Sequence, residues 1–412
     1  MKFVLLHPTG NRNVRAVMTA MYEADMLAEF ATTLAVNPTA TWLKMLPERL
    51  RQEWLRRTFP IPDNFIRSYP IREVARMLLP RLGMHTYVQH ERGWASVDAV
   101  YQNLDQEVAT RLPRLQKQGA SAVYGYEDGA LATFTKAKAL GMQCVYDLPI
   151  AYWETGRRLM LEEAERLPKW APTLGGGIQD SPAKLERKTK ELELADMVVG
   201  PGKFVMDSLP TWARTKHMVM SPFGSPVSTT RSSAQASPTK RPLRVLFVGA
   251  LGQRKGLGDL FAAVRMLNCP DLELVVLGTP LAPMEFYRGE LPTFTYEAGR
   301  PHDQVLSLMR SCDVFCLPSI VEGRALVMQE AMSQGLPLII TPNTGGEDLV
   351  KEGETGFLVP IRSPQAIAEK LQWFLDNRAQ LPRMIQQVQA HAASYTWQQY
   401  GTDVLNGILH MA

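Results

Sequence analysis

Residues 314–317, Val-Phe-Cys-Leu, end abruptly at Pro318-Ser319 and lead through Glu322-Gly323 into a breaker-free stretch from Ala325 to Ser333. An apolar run this short, with no polar alternation, marks a strand buried on both faces, and such strands belong to parallel sheets. Leu326, Val327, Glu330 and Ala331 follow at helical spacing, and Gly335 and Pro337 stop the helix. The stretch is therefore constrained to strand, loop and helix. It puts Glu322 on the loop and Glu330 on the second helical turn, at the carboxyl end of the strand, where open α/β sheets take ligands.

Two carboxylates beside a helix start make a divided site. The unpaired amides after Gly323 carry partial positive charge and suit a phosphate. Ionised carboxylates only accept hydrogen bonds, so their partners are hydroxyls, as on sugars and ribose. Together these describe a sugar-nucleotide site. A lone Glu-x7-Glu is ordinarily a solvated loop acid and a surface helix acid. The strand end, Gly323 and the flanking Glu-Ala-Met-x-x-Gly-x-Pro string favour the site here.

The segment resembles the signature of the retaining glycosyltransferases of family 4. Phe-Val-Gly-Ala-Leu-Gly-Gln-Arg-Lys-Gly-Leu at 247–257, Val-Val-Leu-Gly at 275–278, Cys-Asp-Val-Phe-Cys-Leu-Pro-Ser at 312–319, Thr-Pro-Asn-Thr-Gly-Gly-Glu-Asp-Leu-Val at 341–350 and Gly-Glu-Thr-Gly-Phe-Leu-Val-Pro at 353–360 occur in the family's order. The resemblance covers roughly residues 243–360 and is weak before them. It implies the GT-B fold, two Rossmann-like, doubly wound α/β domains facing a cleft. It also implies a metal-independent enzyme of hexosyltransferase type, as in polysaccharide biosynthesis, moving a sugar from a nucleoside-diphosphate sugar to a glycan, lipid-linked or small-molecule acceptor. The competing readings are a sugar-nucleotide epimerase of the same fold and a non-catalytic nucleotide-sugar-binding relative.

Residue by residue, the resemblance assigns Lys255 to the diphosphate, with Arg254 supplying the charge the family often places where Ala250 stands. Fixed cations there would offset charge that grows on the leaving group, favouring the transition state over the ground state. Glu330 would accept from the ribose, and Glu322 would hold donor-sugar hydroxyls. The amides of Gly323, Arg324 and Ala325, with Leu326 and Gly249, would face sugar and diphosphate. Taken alone, Arg254 and Lys255 read as solvated loop cations. The family usually has an aromatic residue and a Gly at the positions of Arg324 and Ala325. The chain has no Asp-x-Asp, and no metal or other cofactor is expected.

Three N-terminal features could complete the site. His-Pro-Thr-Gly-Asn places Gly10 and Asn11 after the first strand, where the family has a glycine loop facing the diphosphate. Glu127 and Asp128 end another strand, and Asp147 stands where relatives often have a His near the reacting carbon. A strand-end acid caps the next helix as readily as it touches a sugar. His7 reads as structural.

At 412 residues the chain exceeds one core. Residues 1–224 are expected to form the acceptor-side domain and 243–393 the nucleotide-sugar domain. The Ser/Thr/Pro-rich stretch 225–242 links them, and a helix within 394–412 packs back on the first domain. Strand-like runs near 2–6, 122–124, 144–146 and 197–199 alternate with helical stretches, the first expected over 14–36. No apolar run reaches membrane-span length, and Cys144, Cys269, Cys312 and Cys316 are scattered as in reduced proteins, so a cytoplasmic setting is expected.

Residues 42–92 carry ten Lys/Arg against five Asp/Glu, a surplus of 5 in a chain whose total is +4. Trp42, Leu43, Leu46, Leu50 and Trp54 fall on one stripe, with Pro47 in or breaking the first turn. Such a stripe suits an anionic membrane at the inner face, and it equally suits a helix packed inward with its arginines in water. No nucleic-acid motif accompanies the charge. Residues 174–178 read as either an acceptor-covering loop or a plain connection.

Overall fold

The computed structural model describes residues 1–45, 47–226 and 241–410. The strand-like runs form β1 (Phe3–Leu6), β2 (Leu27–Thr32), β3 (Ile66–Ser68), β4 (Ala122–Tyr126), β5 (Gln143–Asp147), β6 (Met197–Gly200) and β7 (His217–Met220). All pair in parallel, in the order β3-β2-β1-β4-β5-β6-β7. A second parallel sheet orders β10-β9-β8-β11-β12-β13, from β8 (Leu243–Val248), β9 (Leu272–Leu277), β10 (Thr295–Glu297), β11 (Val314–Leu317), β12 (Leu338–Ile340) and β13 (Gly356–Leu358). In both sheets the strand order reverses about the first strand, leaving a crevice at the carboxyl ends of β1 and β4 and of β8 and β11.

The interior strands are apolar because both faces are covered. Val314, Phe315, Cys316 and Leu317 are each fully buried. Burial also pushes the Cys316 thiol well above its ordinary range, as befits a core side chain.

The first helix is shorter than its apolar pattern suggests. It spans Arg12–Glu23, and Asp25 turns the chain in the left-handed region at φ 54°. The chain then enters β2, which is buried against β1 from Leu27 onward. Both faces of an interior strand read as apolar, just as a buried helix does.

The basic stripe also divides. Pro47 separates a 3-10 turn at Thr41–Met45 from a helix at Glu48–Leu55. Leu43 is buried with Leu34 and Val36, and Trp54 packs against that cluster. The side chain of Trp42 and the whole of Leu46 lie outside the described residues, as does 227–240 of the proposed linker. Exposed apolar side chains concentrate further on, at Ile71, Leu78, Leu82, Met84, Tyr87, Trp94 and Val97. Among the described residues no helix is long and apolar enough to cross a membrane.

The C-terminal helix, Trp397–Leu409, leaves the second sheet and lies against the first helix. Tyr400, Val404 and Ile408 enter the apolar cluster built on β1 and β5. Ile408 is fully buried there. Ile408→Ala is expected to cost about 2–5 kcal/mol by leaving a cavity. Thermal unfolding measures it, and an unchanged midpoint would show the helix contributes nothing to that core.

Candidate functional site

Between the two sheets lies a cavity of about 1220 Å³. It is lined on one side by Gly249, Lys255, Glu322, Arg324, Ala325, Leu326 and Glu330, and on the other by Gly10 and Asn11. The loop after β8 and the loop after β11 meet at Glu322. Lys255 Nζ donates to Glu322 Oε1 at 2.5 Å, and an Arg254 guanidinium nitrogen donates to the same oxygen at 2.8 Å. Lys255 reaches it by lying across Gly249, whose φ is 154°; a Cβ there would stand 2.5 Å from Lys255 Cδ. Burial lowers the Lys255 pKa while the Glu322 charge raises it, so the pair holds its ammonium against the loss of water. Arg254 also donates to Val321 O at 2.9 Å.

Gly323 is fixed by the other domain. A Cβ on it would stand 1.6 Å from Pro149 O, and Ala151 N–H donates to Glu322 O at 3.3 Å. The site loop of the second domain therefore rests directly on the loop after β5. The amides of Gly323 and Arg324 have no backbone acceptor among the described residues, whereas Ala325 N–H donates to Thr344 O at 3.2 Å and is not free for a ligand.

Arg324 differs from the sequence expectation in what its side chain does. Its guanidinium is buried, pairs with Asp348 at 2.6 Å and donates to Gly345 O at 2.9 Å. It holds the 345–348 loop, and only its backbone is left for a ligand. Glu330 stands 3.8 Å from His302; burial raises its carboxyl, opposed by His302 and Arg12.

On the first domain, His7 is fully buried and its Nδ1 accepts from the amides of Thr9 at 3.0 Å and Gly10 at 2.7 Å. Burial, then the charges of Arg15 and Arg57, push it down to about 3. It is therefore neutral and holds the Gly10 loop. Arg15 Nε donates to Gly10 O at 2.6 Å from the other side.

The remaining acids leave the cavity. Asp147 is 1% exposed and lies beneath the cleft floor, where Asn13 Nδ2 approaches it at 3.4 Å. It lines neither cavity. Asp128 adopts φ 70° and pairs with Arg187 and, at 3.4 Å, with Lys184; its amide donates to Glu191. That network is structural. Glu127 faces a separate pocket of about 250 Å³, shared with Trp153, Arg157, Gly175, Lys188 and Arg254. There Lys188 stands 3.4 Å from it. The glycine-rich 174–178 segment borders this pocket. His90, Glu91 and Asp180 come within metal-ligand reach of one another, but Lys184 already stands 3.2 Å from Asp180 as its cation.

Sequence reasoning missed the cavity's arginines, Arg12, Arg15, Arg56 and Arg57, and its Tyr126 and His302. The basic surplus of 42–92 signalled Arg56 and Arg57 only.

Burial raises the Asp147 carboxyl to about 7, aided by Glu127 and opposed by the Tyr124 hydroxyl. The fold therefore favours its protonated form, and the stability this lends is complete near pH 4 and lost as pH rises through 7. Asp147→Asn is expected to unfold at higher temperature than the parent at pH 8 and not at pH 4. An equal difference at both pH values would show that this carboxyl is not held protonated.

Residues 228–391 match the family model for glycosyl transferases group 1. The D-inositol 3-phosphate glycosyltransferase of Corynebacterium glutamicum is 32% identical over 187 residues, which are 42% of this chain and 45% of that protein. The amylovoran biosynthesis glycosyltransferase AmsK of Erwinia amylovora is 29% identical over 141 residues, 31% of this chain and 35% of that protein. The chain thus spans less than half the length of these curated relatives. The sucrose-phosphate synthase of Thermosynechococcus elongatus superposes with a TM-score of 0.64 at 18% identity, covering 100% of this chain and 98% of that one. Anabaena HepE, solved with UDP and glucose, superposes at 0.58 and 15% identity, with both chains covered in full. The second domain of this chain is thus similar to the group 1 glycosyl transferases, and the whole chain has a two-sheet fold of GT-B type.

Proposed function

We propose that the protein is a retaining glycosyltransferase that takes a nucleoside-diphosphate sugar as donor. The observation that carries this is one carboxylate, Glu322, held by two cations in a cleft that is also lined by Glu330 and by Arg324, whose amide has no backbone acceptor among the described residues. The relatives named glycosyltransferases, and the UDP found in the Anabaena structure, support the same reading.

In this reading the ribose hydroxyls lie on Glu330, and the diphosphate lies between Lys255, Arg254 and the start of helix Leu326–Ser333. Glu322 exchanges its ammonium partner for donor-sugar hydroxyls. The bond from the anomeric carbon to the phosphate oxygen breaks, and the acceptor oxygen bonds to that carbon on the same face. The acceptor's proton passes to the departing phosphate oxygen. Lys255 and Arg254 stabilise the charge that grows there, work a divalent cation does elsewhere. Gly10 and Asn11 close the diphosphate from the opposite wall. Glu127, in its smaller pocket, is placed for the acceptor, a glycan, lipid-linked or small molecule.

Glu322→Ala is expected to lower transfer by 100-fold or more while nucleoside diphosphate affinity stays within a few-fold. Transfer near the parent rate would sink the donor-site assignment. Lys255→Ala should weaken both, and unchanged affinity for every one of UDP, GDP, ADP, dTDP and CDP would remove its role.

We further propose that the exposed apolar segment meets an anionic bilayer. Leu82, Met84 and Tyr87 protrude beside Arg72, Arg81 and Arg92, the pairing of apolar and cationic groups that interfacial segments use. Flotation with vesicles rich in phosphatidylglycerol should carry the protein, and Leu82→Glu with Tyr87→Glu should abolish it. Equal flotation with pure phosphatidylcholine, or none with either vesicle, would overturn it.

A further inference from the structure

The first domain's wall of the cleft cavity is more basic than the donor requires. Arg12, Arg15, Arg56 and Arg57 all line it. Arg12 and Arg15 are three residues apart on the first helix and so share a face. Arg15 donates to the carbonyls of Gly10, Thr58 and, at 2.8 Å, Arg56, which draws the 56–58 segment against that helix. All three of its acceptors are neutral. Arg57 pairs with Glu73 at 2.9 Å, but Glu73 also serves Arg76, and one Arg57 guanidinium nitrogen is buried with no partner. Arg12 and Arg56 have no carboxylate within ion-pair distance among the described residues. The carboxylate that responds to Arg12 is Glu330, on the facing wall.

Arg15 and Arg57 are half-buried while Arg12 and Arg56 are exposed; like charges gathered on one wall repel one another, and an anion relieves that cost. The field is strong enough to act on its neighbours: the Arg57 charge lowers the pKa of Arg15, and both lower that of buried His7. The donor's diphosphate, as proposed above, already has Lys255 and the helix start on the other wall. Arg12, Arg15 and Arg56 are left without a carboxylate among the described residues, and guanidinium forks match the oxygens of a phosphoryl group.

We infer that the acceptor carries an anionic group, a phosphoryl group in the first instance, which the arginine wall, with Arg56 at its exposed edge, binds and orients toward the donor. The inference rests on the donor site proposed above, and the wall can still be tested separately from it.

Arg56→Gln, Arg12→Gln and the conservative Arg56→Lys are compared with the parent chain by calorimetry. Each is titrated with the nucleoside diphosphate that binds and then, in its presence, with inorganic phosphate, glycerol phosphate and methyl glucuronide. The expected result is a phosphate site that weakens steeply with salt. Its affinity should fall about tenfold or more in both Gln variants and recover in part in Arg56→Lys, while diphosphate affinity in Arg56→Gln stays within about threefold. Tighter binding of glycerol phosphate than of the glucuronide identifies a phosphoryl acceptor, and the reverse identifies a sugar acid; either supports an anionic acceptor. Phosphate binding that is equal in all variants overturns the inference. So does a tenfold loss of diphosphate affinity in Arg56→Gln, which would give the arginines to the donor. If no diphosphate binds the parent chain, the donor reading fails, and phosphate titrated alone still decides whether the wall holds an anion.

Discussion

The site depends on how closely two backbones approach. Gly323 meets Pro149 with no space for a single added carbon, and the Glu322 carbonyl accepts from Ala151 in the same contact. Everything functional on the second domain's loop is indexed from there. The Glu322 side chain takes Lys255 and Arg254 while its backbone is pinned, and Arg324 beside it lines the cavity. A side chain at 323 would shift the carboxylate and the amides together, and geometric errors of that kind weigh heavily where transition-state contacts are made.

The donor wall of the cleft is internally neutralised. Three of its charged groups satisfy one another, with Glu322 occupying the place in the cation pair that a phosphate oxygen would take. Burial lowers the Lys255 pKa, and the Glu322 carboxylate opposes that without cancelling it, because the Arg254 charge lowers it further. The arrangement avoids an unpaired charge in a dry cleft, which would cost far more than an exposed one. On the arginine wall opposite, Arg57 alone has a carboxylate, Glu73, while Arg12, Arg15 and Arg56 have none among the described residues, and that contrast makes it stand out as a surface suited to an anion.

The second domain was the more legible half. Its strands are short apolar runs bounded by Gly and Pro, and its site residues lie on loops whose order along the chain is itself informative. Glu322, Lys255 and Glu330 could be placed at one cleft from pattern alone. For Arg324 the pattern speaks only to its amide, and nothing local shows that Asp348, 24 positions later, claims its guanidinium. The first domain hid more. Asp147 looks like a strand-end acid, yet it is buried. The helix expected over 14–36 merged a helix with a fully buried strand, since burial on all sides erases the periodicity that separates them. Arg12 lies outside the basic 42–92 stretch and joins Arg56 on the cavity wall only through tertiary folding.

The return of the C-terminal helix to the first sheet has a mechanical meaning. The chain passes between the domains twice, once after Ser225 and once near Tyr395, and Ser225 N–H donates to Tyr395 O at 2.9 Å, so the two passages run side by side. Gln329, one residue before Glu330, donates to Phe223 O at 2.5 Å and to Ser225 Oγ at 3.1 Å. A single tether would act as a swivel. Two adjacent passages bonded to each other constrain the halves more than one would, and the helix that carries Glu330 is bonded to the first of them, so a displacement of one half is felt at that helix.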